Sequence, residues 1–577
     1  MNQVFNRNKI FFIFLLIATA FCISYYSPVS YAHADPAGTL LTAQSLVKNG
    51  TFRLDAYQGW IPENYAYAQV GGHIYWIYPV GTPLFLSPFV WMAGLQGYVF
   101  LPDTQANATL QNFLSGLTVA ACALLMYFLL AAICSQLHSY ILAVFFTFGT
   151  SVISTMGTGL WSVNLAILFS LAALILIVYE SVGKLRSLNP YLLGFFLFSA
   201  YLCRPSEVLF VGFVFLYILV YRRQILLKLI LTIAGFMAVF IAYSLLELHQ
   251  VLPQYYRSSE FSLTWNFITN LIANLFSPSR GLLVFSPFLG MAIIGSIAFL
   301  KNLWKNPIFL LSGVWITAHL AMISAWKMWW GGDSFGPRLL TDILPAFLLL
   351  LALVWQVAQE NLSHKSQQAW MIVFAAFAGI SIFIHSYQGM FNPATDLWNN
   401  GPEVDFMDWK YPQFLASPQQ LAARKVDFDS RNLPVYPWGE TIFTNSPFAV
   451  FDHWYEPEVV DGENLRWSMG TSSSIILRFD PGATDPARDY RLKVRVSGIP
   501  KVKVRFLLNG NLLGSTPIND PIPESYLMML PGKWIRPGDL NQLEFSIDPT
   551  QVDVTAFDLG KDSRLRGICI ISLNISQ

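Results

Sequence analysis

The sequence predicts a polytopic α-helical membrane protein that ends in a β-sandwich outside the membrane. Three observations predict it. Apolar runs of about 20 residues, the length that crosses a bilayer core, recur from the N-terminus to about residue 387 and then cease. Of 577 residues, 54% are hydrophobic and only 12% charged, and mean hydropathy is +0.47, which no soluble globular composition matches. Beyond residue 447 the pattern changes to short stretches of period-two alternation separated by turn signals.

Spans are expected near 9–26, 113–133, 140–154, 160–179, 191–203, 207–220, 229–246, 282–300, 308–325, 339–355 and 370–385. Lys/Arg-rich short loops stay cytoplasmic, and here they are Lys184/Arg186, Arg222/Arg223/Lys228, Lys301/Lys305 and the His364-Lys365 turn. With Arg7 and Lys9 on the same side, these alternate with the spans only if 191–220 is two short helices, giving about eleven spans in all. The N-terminus is then cytoplasmic and the tail periplasmic, as in a bacterial inner-membrane protein.

The first apolar run has a second reading, a cleaved signal peptide over 1–34, since "AHA" at 32–34 satisfies an A-x-A rule. The run from Ile10 to Ile23 is long for a signal core and ends well before that site, which favours an uncleaved anchor. Either way Asp35 is outside. The segment 78–97 is apolar but carries Pro79, Pro83 and Pro88, and as a span it would invert every later loop. It reads as a helix at the outer interface within one large outer loop, 27–112. Further outer loops are 249–280 and 327–338. The division is therefore a membrane domain over 1–390, a linker lying against it over 391–446, and a sandwich over 447–577 of jelly-roll or carbohydrate-binding-like kind. Its strands are expected at "SIILRF", "YRLKVRV", "KVKVRFLLNGNLLG", "LNQLEFSI" and "GICIISLNI".

Several functions drop out. A net charge of +1 and no Lys/Arg-rich run exclude nucleic acid as a partner. Four of five cysteines lie in apolar runs and none has CxxC spacing, so neither a disulfide framework nor a zinc site is expected. A phosphate loop, an HExxH and a nucleophile elbow are all absent. "DFD" at 427–429 matches a nucleotide-sugar motif, but in a polar outer linker chance explains it better.

The residues that remain cluster in the outer loops. "HADPAGTLLTAQSLVKNG" reads as a helix with Asp35 at its N-cap, Pro36 in the first turn, Lys48 near the end and Gly50 beyond it. The same carboxylate, on a short tether from a spanning helix, could take a proton from an acceptor hydroxyl. Arg204, between two short apolar helices in "CRPSE", is costly in a bilayer and so either pairs with Glu207 or serves a ligand. Arg280 in "SPSRGLLVFSPFLG" is an interfacial anchor or a phosphate ligand. In "WKMWWGGDSFGPRLL" an aromatic belt accounts for the tryptophans but not for the glycine turns around Asp333 and Arg338. Trp330, Asp333, Tyr78 and Glu63 are candidates for the acceptor or for the loops that shape the site.

Together, the first helix, "HADPAGTLLTAQSLVKNG", "YPVGTPLFLSPF", "RPSEVLF", "SPSRGLLVFSPFL" and "GGDSFGPRLL" resemble, in order and topology over residues 1–390, the GT-C membrane glycosyltransferases. The branch is similar to the protein mannosyltransferase and aminoarabinose transferase group. The resemblance implies an inverting transferase that takes a hexose or pentose from a dolichyl- or polyprenyl-phosphate sugar entering from membrane lipid. The acceptor would be a glycan, lipid or protein on the outer side. It implies Asp35 as general base and Arg204, Arg280 and Arg338 as ligands of the lipid phosphate. Many relatives have a second acidic residue where Pro36 stands, a departure that bears on whether a divalent metal ion takes part. Two other readings stay open: a transporter or flippase of a lipid-linked sugar, and a non-catalytic glycan-binding membrane protein.

Overall fold

The computed structural model describes residues 8–62, 65–256, 266–401, 405–460, 462–469, 471–498, 502–518, 522–547 and 566–576. They form two compact units, Met1–Asn400 with Val404–Ser417, and Gly401–Glu403 with Pro418–Gln577. The stretch 391–446, expected to be one linker, is thus divided: its first part folds into the helical unit, while Pro418–Arg431 is a helix of the second.

The helical unit runs α1 Lys9–Tyr25, α2 Thr39–Asn49, α3 Gly81–Gly94, α4 Gln105–Ala131, α5 Gln136–Phe148, α6 Ser162–Ser181, α7 Pro190–Cys203, α8 Val208–Tyr221, α9 Leu226–Leu248, α10 Asn266–Phe276, α11 Leu289–Ala298, α12 Pro307–Ala325, α13 Leu344–Asn361 and α14 His364–Ile382. Polar residues mark the starts, as capping requires: Asn189 and Asn306 each accept two backbone N–H groups, with Pro190 and Pro307 in the first turn. Ser135 and Ser363 cap α5 and α14 in the same way.

Every expected span coincides with an apolar helix, but six helical segments are long and apolar enough to cross a membrane among the described residues. The other apolar helices have 10–17 residues, so about eleven spans is more than length alone supports. Burial separates two kinds of helix. The segment Arg338–Asn361 is 83% buried and apolar on every side, the mark of a central helix. The segment Arg223–Leu248 is more hydropathic yet only 11% buried, a face that water would not tolerate and lipid does. This is an integral membrane protein.

Three features of this unit bear on the site. Helices α7 and α8 are separated at Arg204, which is extended (φ −151°) because Pro205 follows and excludes the helical conformation before it. A hairpin, β1 Tyr67–Val70 and β2 His73–Trp76, turns on Gly71 and Gly72, both at positive φ. Two stretches, Val152–Met156 and Phe383–Gln388, are π-helical. They bring Ser154 to His385, whose Nδ1 lies 2.7 Å from the Ser154 hydroxyl and whose Nε2 lies 3.0 Å from that of Ser286.

The second unit starts with α15 Pro418–Arg431 and continues as β3 Thr441–Phe443, β4 Val450–Asp452, β5 Glu458–Val460, β6 Glu463–Met469, β7 Ser472–Arg478, β8 Asp489–Gly498, β9 Val502–Leu508, β10 Asn511–Ile518, β11 Glu524–Pro531, β12 Leu540–Ile547 and β13 Arg566–Ser576. Two antiparallel sheets result, ordered β10-β9-β12-β7-β4 and β11-β8-β13-β6-β5, with β3 also on β13. Alternation sets the inner faces: Leu492, Val494 and Val496 from β8 and Val504, Phe506 and Leu508 from β9 are all buried in one core. Phe506 is fully buried there. Phe506→Ala is expected to cost about 3–5 kcal/mol of this unit's stability, read as a lowered unfolding midpoint.

Candidate functional site

Asp35 opens a tight turn, Asp35–Gly38, that precedes α2, and the N-cap of α2 is Gly38. The carboxylate therefore caps nothing, contrary to the sequence reading. Charged and phenolic partners win it instead, since charge-assisted bonds are about twice as strong as neutral ones. Arg338 Nη1 donates to Oδ2 at 2.7 Å, and the phenols of Tyr78 and Tyr65 donate to Oδ1 at 2.5 and 3.3 Å. The far end of the helix is as expected, with Gly50 left-handed at φ +69°.

The turn is fixed from beneath. Gln111 of α4 donates to the carbonyls of Ala32 and Pro36 and accepts from Leu160 N–H. The Trp76 indole packs against Gly38 so closely that a Cβ there would sit 2.3 Å from the ring. Tyr78 follows that tryptophan, with ring centroids 5.1 Å apart. Burial, and then the Asp35 charge, push the Tyr78 phenol well above its usual value of 10 and keep it a hydrogen-bond donor. The Tyr65 phenol is raised for the same two reasons.

Arg338 belongs to a short turn, Arg338–Ile343, that leads into α13. Its guanidinium lies 4.1 Å from the Trp161 ring centroid, and Nη2 donates to the Gly331 carbonyl. Its Nε is buried without a partner among the described residues. Four positions along the same turn, Asp342 is fully buried and accepts from Arg204 Nε at 2.8 Å and from Ser206 Oγ at 2.8 Å. His319 Nε2 lies 3.6 Å from that carboxylate and 2.9 Å from the Leu339 carbonyl. The expected Arg204–Glu207 pair gives way to Arg204–Asp342, while Glu207 accepts from Ser170 Oγ at 3.0 Å. Arg204 Nη1 donates to Ser162 Oγ at 3.0 Å. Tyr255 feels all of Arg204, Asp35, Arg338 and Asp342, which ties the two ion pairs into one region, and burial raises its phenol.

Arg280 is differently placed. Nε donates to the Trp330 carbonyl, Nη1 to Ser279 O and Gln413 Oε1, and Nη2 to Gly332 O and Asn399 Oδ1. All its N–H groups are thus on protein acceptors, and the Phe406 ring lies 5.0 Å away. A phosphate would have to displace one of these bonds, so the geometry makes Arg280 the holder of the 330–332 loop. That loop can bend only because Gly331, Gly332 and Gly336 are left-handed; a Cβ on Gly336 would also meet Phe285 at 2.7 Å. Trp330 stacks on Phe406 at 5.4 Å, and Asp333 is exposed. Glu63 lies outside the described residues.

Sequence reasoning missed Asp342, Gln111 and Tyr65. Asp342 carried a signal, an acid in an apolar run. Nothing local marks Gln111 or Tyr65. Among the described residues no group of three His, Cys, Asp or Glu could hold a metal ion, and Asp35 is paired with Arg338.

No family model and no curated protein matches the chain. Among solved structures it is similar to the apo oligosaccharyltransferase of Archaeoglobus fulgidus, at 12% identity and TM-score 0.42, over 67% of this chain and 57% of that one. It is similar to ArnT of Cupriavidus metallidurans bound to undecaprenyl phosphate, at 13% identity and TM-score 0.33, over 68% of each. A glycoside hydrolase family 43 arabinoxylan arabinofuranohydrolase of Bacillus subtilis, in complex with cellotetraose, aligns at 10% identity and TM-score 0.16, over 25% of this chain and 28% of its own.

Two expectations follow from the geometry. Asp342→Asn takes from the buried Arg204 the carboxylate it is bonded to and is expected to cost about 3–5 kcal/mol, whereas replacing both partners by apolar residues recovers most of it. Thermal unfolding of the native chain and the two variants in one detergent checks this. Because the Tyr78 proton is held more tightly folded than unfolded, the folded state binds more protons above pH 10, the usual phenol value, and stability falls as pH rises past it. Tyr78→Phe flattens that alkaline fall.

Proposed function

We propose that the chain transfers a sugar from a polyprenyl-phosphate donor to an acceptor hydroxyl at the outer face of the membrane, with inversion. The observation that carries this reading is the Asp35 carboxylate, oriented by Tyr78 and Arg338, beside arginines that keep unspent N–H groups. In a single displacement the acceptor oxygen attacks the anomeric carbon. Its proton passes to Asp35, and the electrons of the breaking carbon–oxygen bond leave on the lipid phosphate. Arg338 can offer its unpartnered Nε to a phosphate oxygen without releasing Asp35. Arg204, whose Nη2 has no acceptor among the described residues, is the second phosphate ligand. Fixed cations in a low-dielectric cavity stabilise such a leaving group by several kcal/mol, of order ~3 each.

Tyr78, first considered for the acceptor side, holds the base in this scheme. Trp330 and Asp333 remain for the acceptor, and Arg280 holds their loop. A lipid-linked sugar donor fits lipid-facing helices such as α9, which give an apolar chain a route to the site.

Reconstitution with a panel of polyprenyl-phosphate sugars, scoring released polyprenyl phosphate, tests the reading. Asp35→Asn keeps the shape of the side chain and is expected to fold and insert normally while transfer falls about 10²–10⁴-fold. Normal transfer by that variant would sink the base assignment. Movement of the lipid-linked sugar across the vesicle without cleavage would replace the reading by transport.

A further inference from the structure

The second unit contains a cavity of about 520 Å³ between α15, the loop after β3, the end of β4 and β6. Its size lies in the ~300–1,000 Å³ range of small-molecule sites. The "DFD" segment, which chance seemed to explain, contributes Phe428 and Asp429 to its wall.

The lining mixes apolar side chains such as Leu433, Val450 and Met469 with polar groups of both senses. Asp429 and Asp452 offer acceptors, Asn432 and Asn445 offer both donors and acceptors, and Arg466 offers donors. Phosphates and other anions would face Asp429, Asp452 and Glu456, while a cation would face Lys425 and Arg466. A hydroxyl both donates and accepts, and a chain of hydroxyls satisfies this lining without bringing a charge into it.

Arg466 is built in rather than draped across the surface. Nε donates to the Thr444 carbonyl at 2.8 Å, Nη1 donates to Tyr455 O at 3.3 Å, and the guanidinium stacks 4.7 Å from the Phe451 ring centroid. Nη2 is 3.9 Å from Glu456 Oε2, too far for a hydrogen bond, so it is left for a ligand. A free Nη2 donor close to an aromatic ring matches a pyranose, which presents C–H groups on its faces and O–H groups on its rim.

Two further observations point to a ligand. Thr444, which is 1% exposed and lines the cavity, has a hydroxyl with no partner among the described residues. His453 is left-handed at φ +62°, and its carbonyl is pinned there by Ser473 Oγ at 2.5 Å and Met469 N–H at 2.8 Å. Such conformations gather at ligand clamps.

We propose that this cavity binds a neutral oligosaccharide, at a site independent of the transfer chemistry. The test is titration calorimetry of the full chain in a non-glycosidic detergent, with cellotetraose, xylotetraose, mannotetraose and, as comparison, tetra-alanine. Saturable binding of at least one tetraose is expected, weakened about tenfold or more by Asn445→Ala and Asp452→Ala, side chains at the cavity wall. Asp35→Asn should bind the sugar as the native chain does. Arg466→Ala should abolish binding, and if it unfolds the unit the other two variants carry the result. Binding of tetra-alanine alone, no tetraose binding up to ~10 mM, or binding indifferent to both wall variants would each overturn the proposal. Loss of sugar binding in Asp35→Asn would overturn its independence.

Discussion

The short turn Arg338–Ile343 places a cation and an anion four residues apart at the entrance of the most buried helix, and neither can stay there alone. An unpaired charge in such surroundings costs several kcal/mol. The cation takes Asp35, from a turn some three hundred positions earlier in the chain, and the anion takes Arg204, from the break between α7 and α8. Two distant pieces of the unit are therefore drawn to one place by charge balance, with α4 holding the first piece through Gln111. The same pairing that neutralises the turn leaves N–H groups of both arginines unspent, so stability and a capacity for anions come from one arrangement.

The neighbouring loop shows how a different arginine is used up. Arg280 gathers the carbonyls of Trp330 and Gly332 from one side, and Arg338 takes that of Gly331 from the other. Carbonyls of consecutive residues can point to opposite sides because the glycines between them accept left-handed backbone. What an extended, aromatic loop would have left to solvent is thereby a fixed wall beside Asp35.

Much of this was legible before any coordinates. Hydropathy placed an apolar helix at every expected span but left α10 in an outer loop, period-two alternation located β7–β10, β12 and β13 but not β3–β6 or β11, and loop charge required the break at Arg204. Pairings were not legible, because they join residues separated by tens to hundreds of positions and depend on packing that no local pattern encodes. Asp35 shows the limit well: its surroundings in sequence spell a helix cap, and only Arg338 and the two phenols, all distant, explain why the carboxylate turns elsewhere. An apolar run does not say how long a helix it forms, and six of the helical segments among the described residues are long enough to span by length and composition.

The π-helical stretches at Val152–Met156 and Phe383–Gln388 impose a constraint of another kind. A π turn is an α turn with one residue added, so what these positions conserve is length. Removing a single residue from either would tighten it to an α turn and take away the extra side-chain position that the wide turn provides. His385, which lies within the second stretch, would then leave the two serine hydroxyls that hold its ring. Substitutions in these turns are open to the usual exchanges of size and polarity, whereas insertions and deletions there are closed, and a lineage of this protein would drift in composition at these positions while keeping their number.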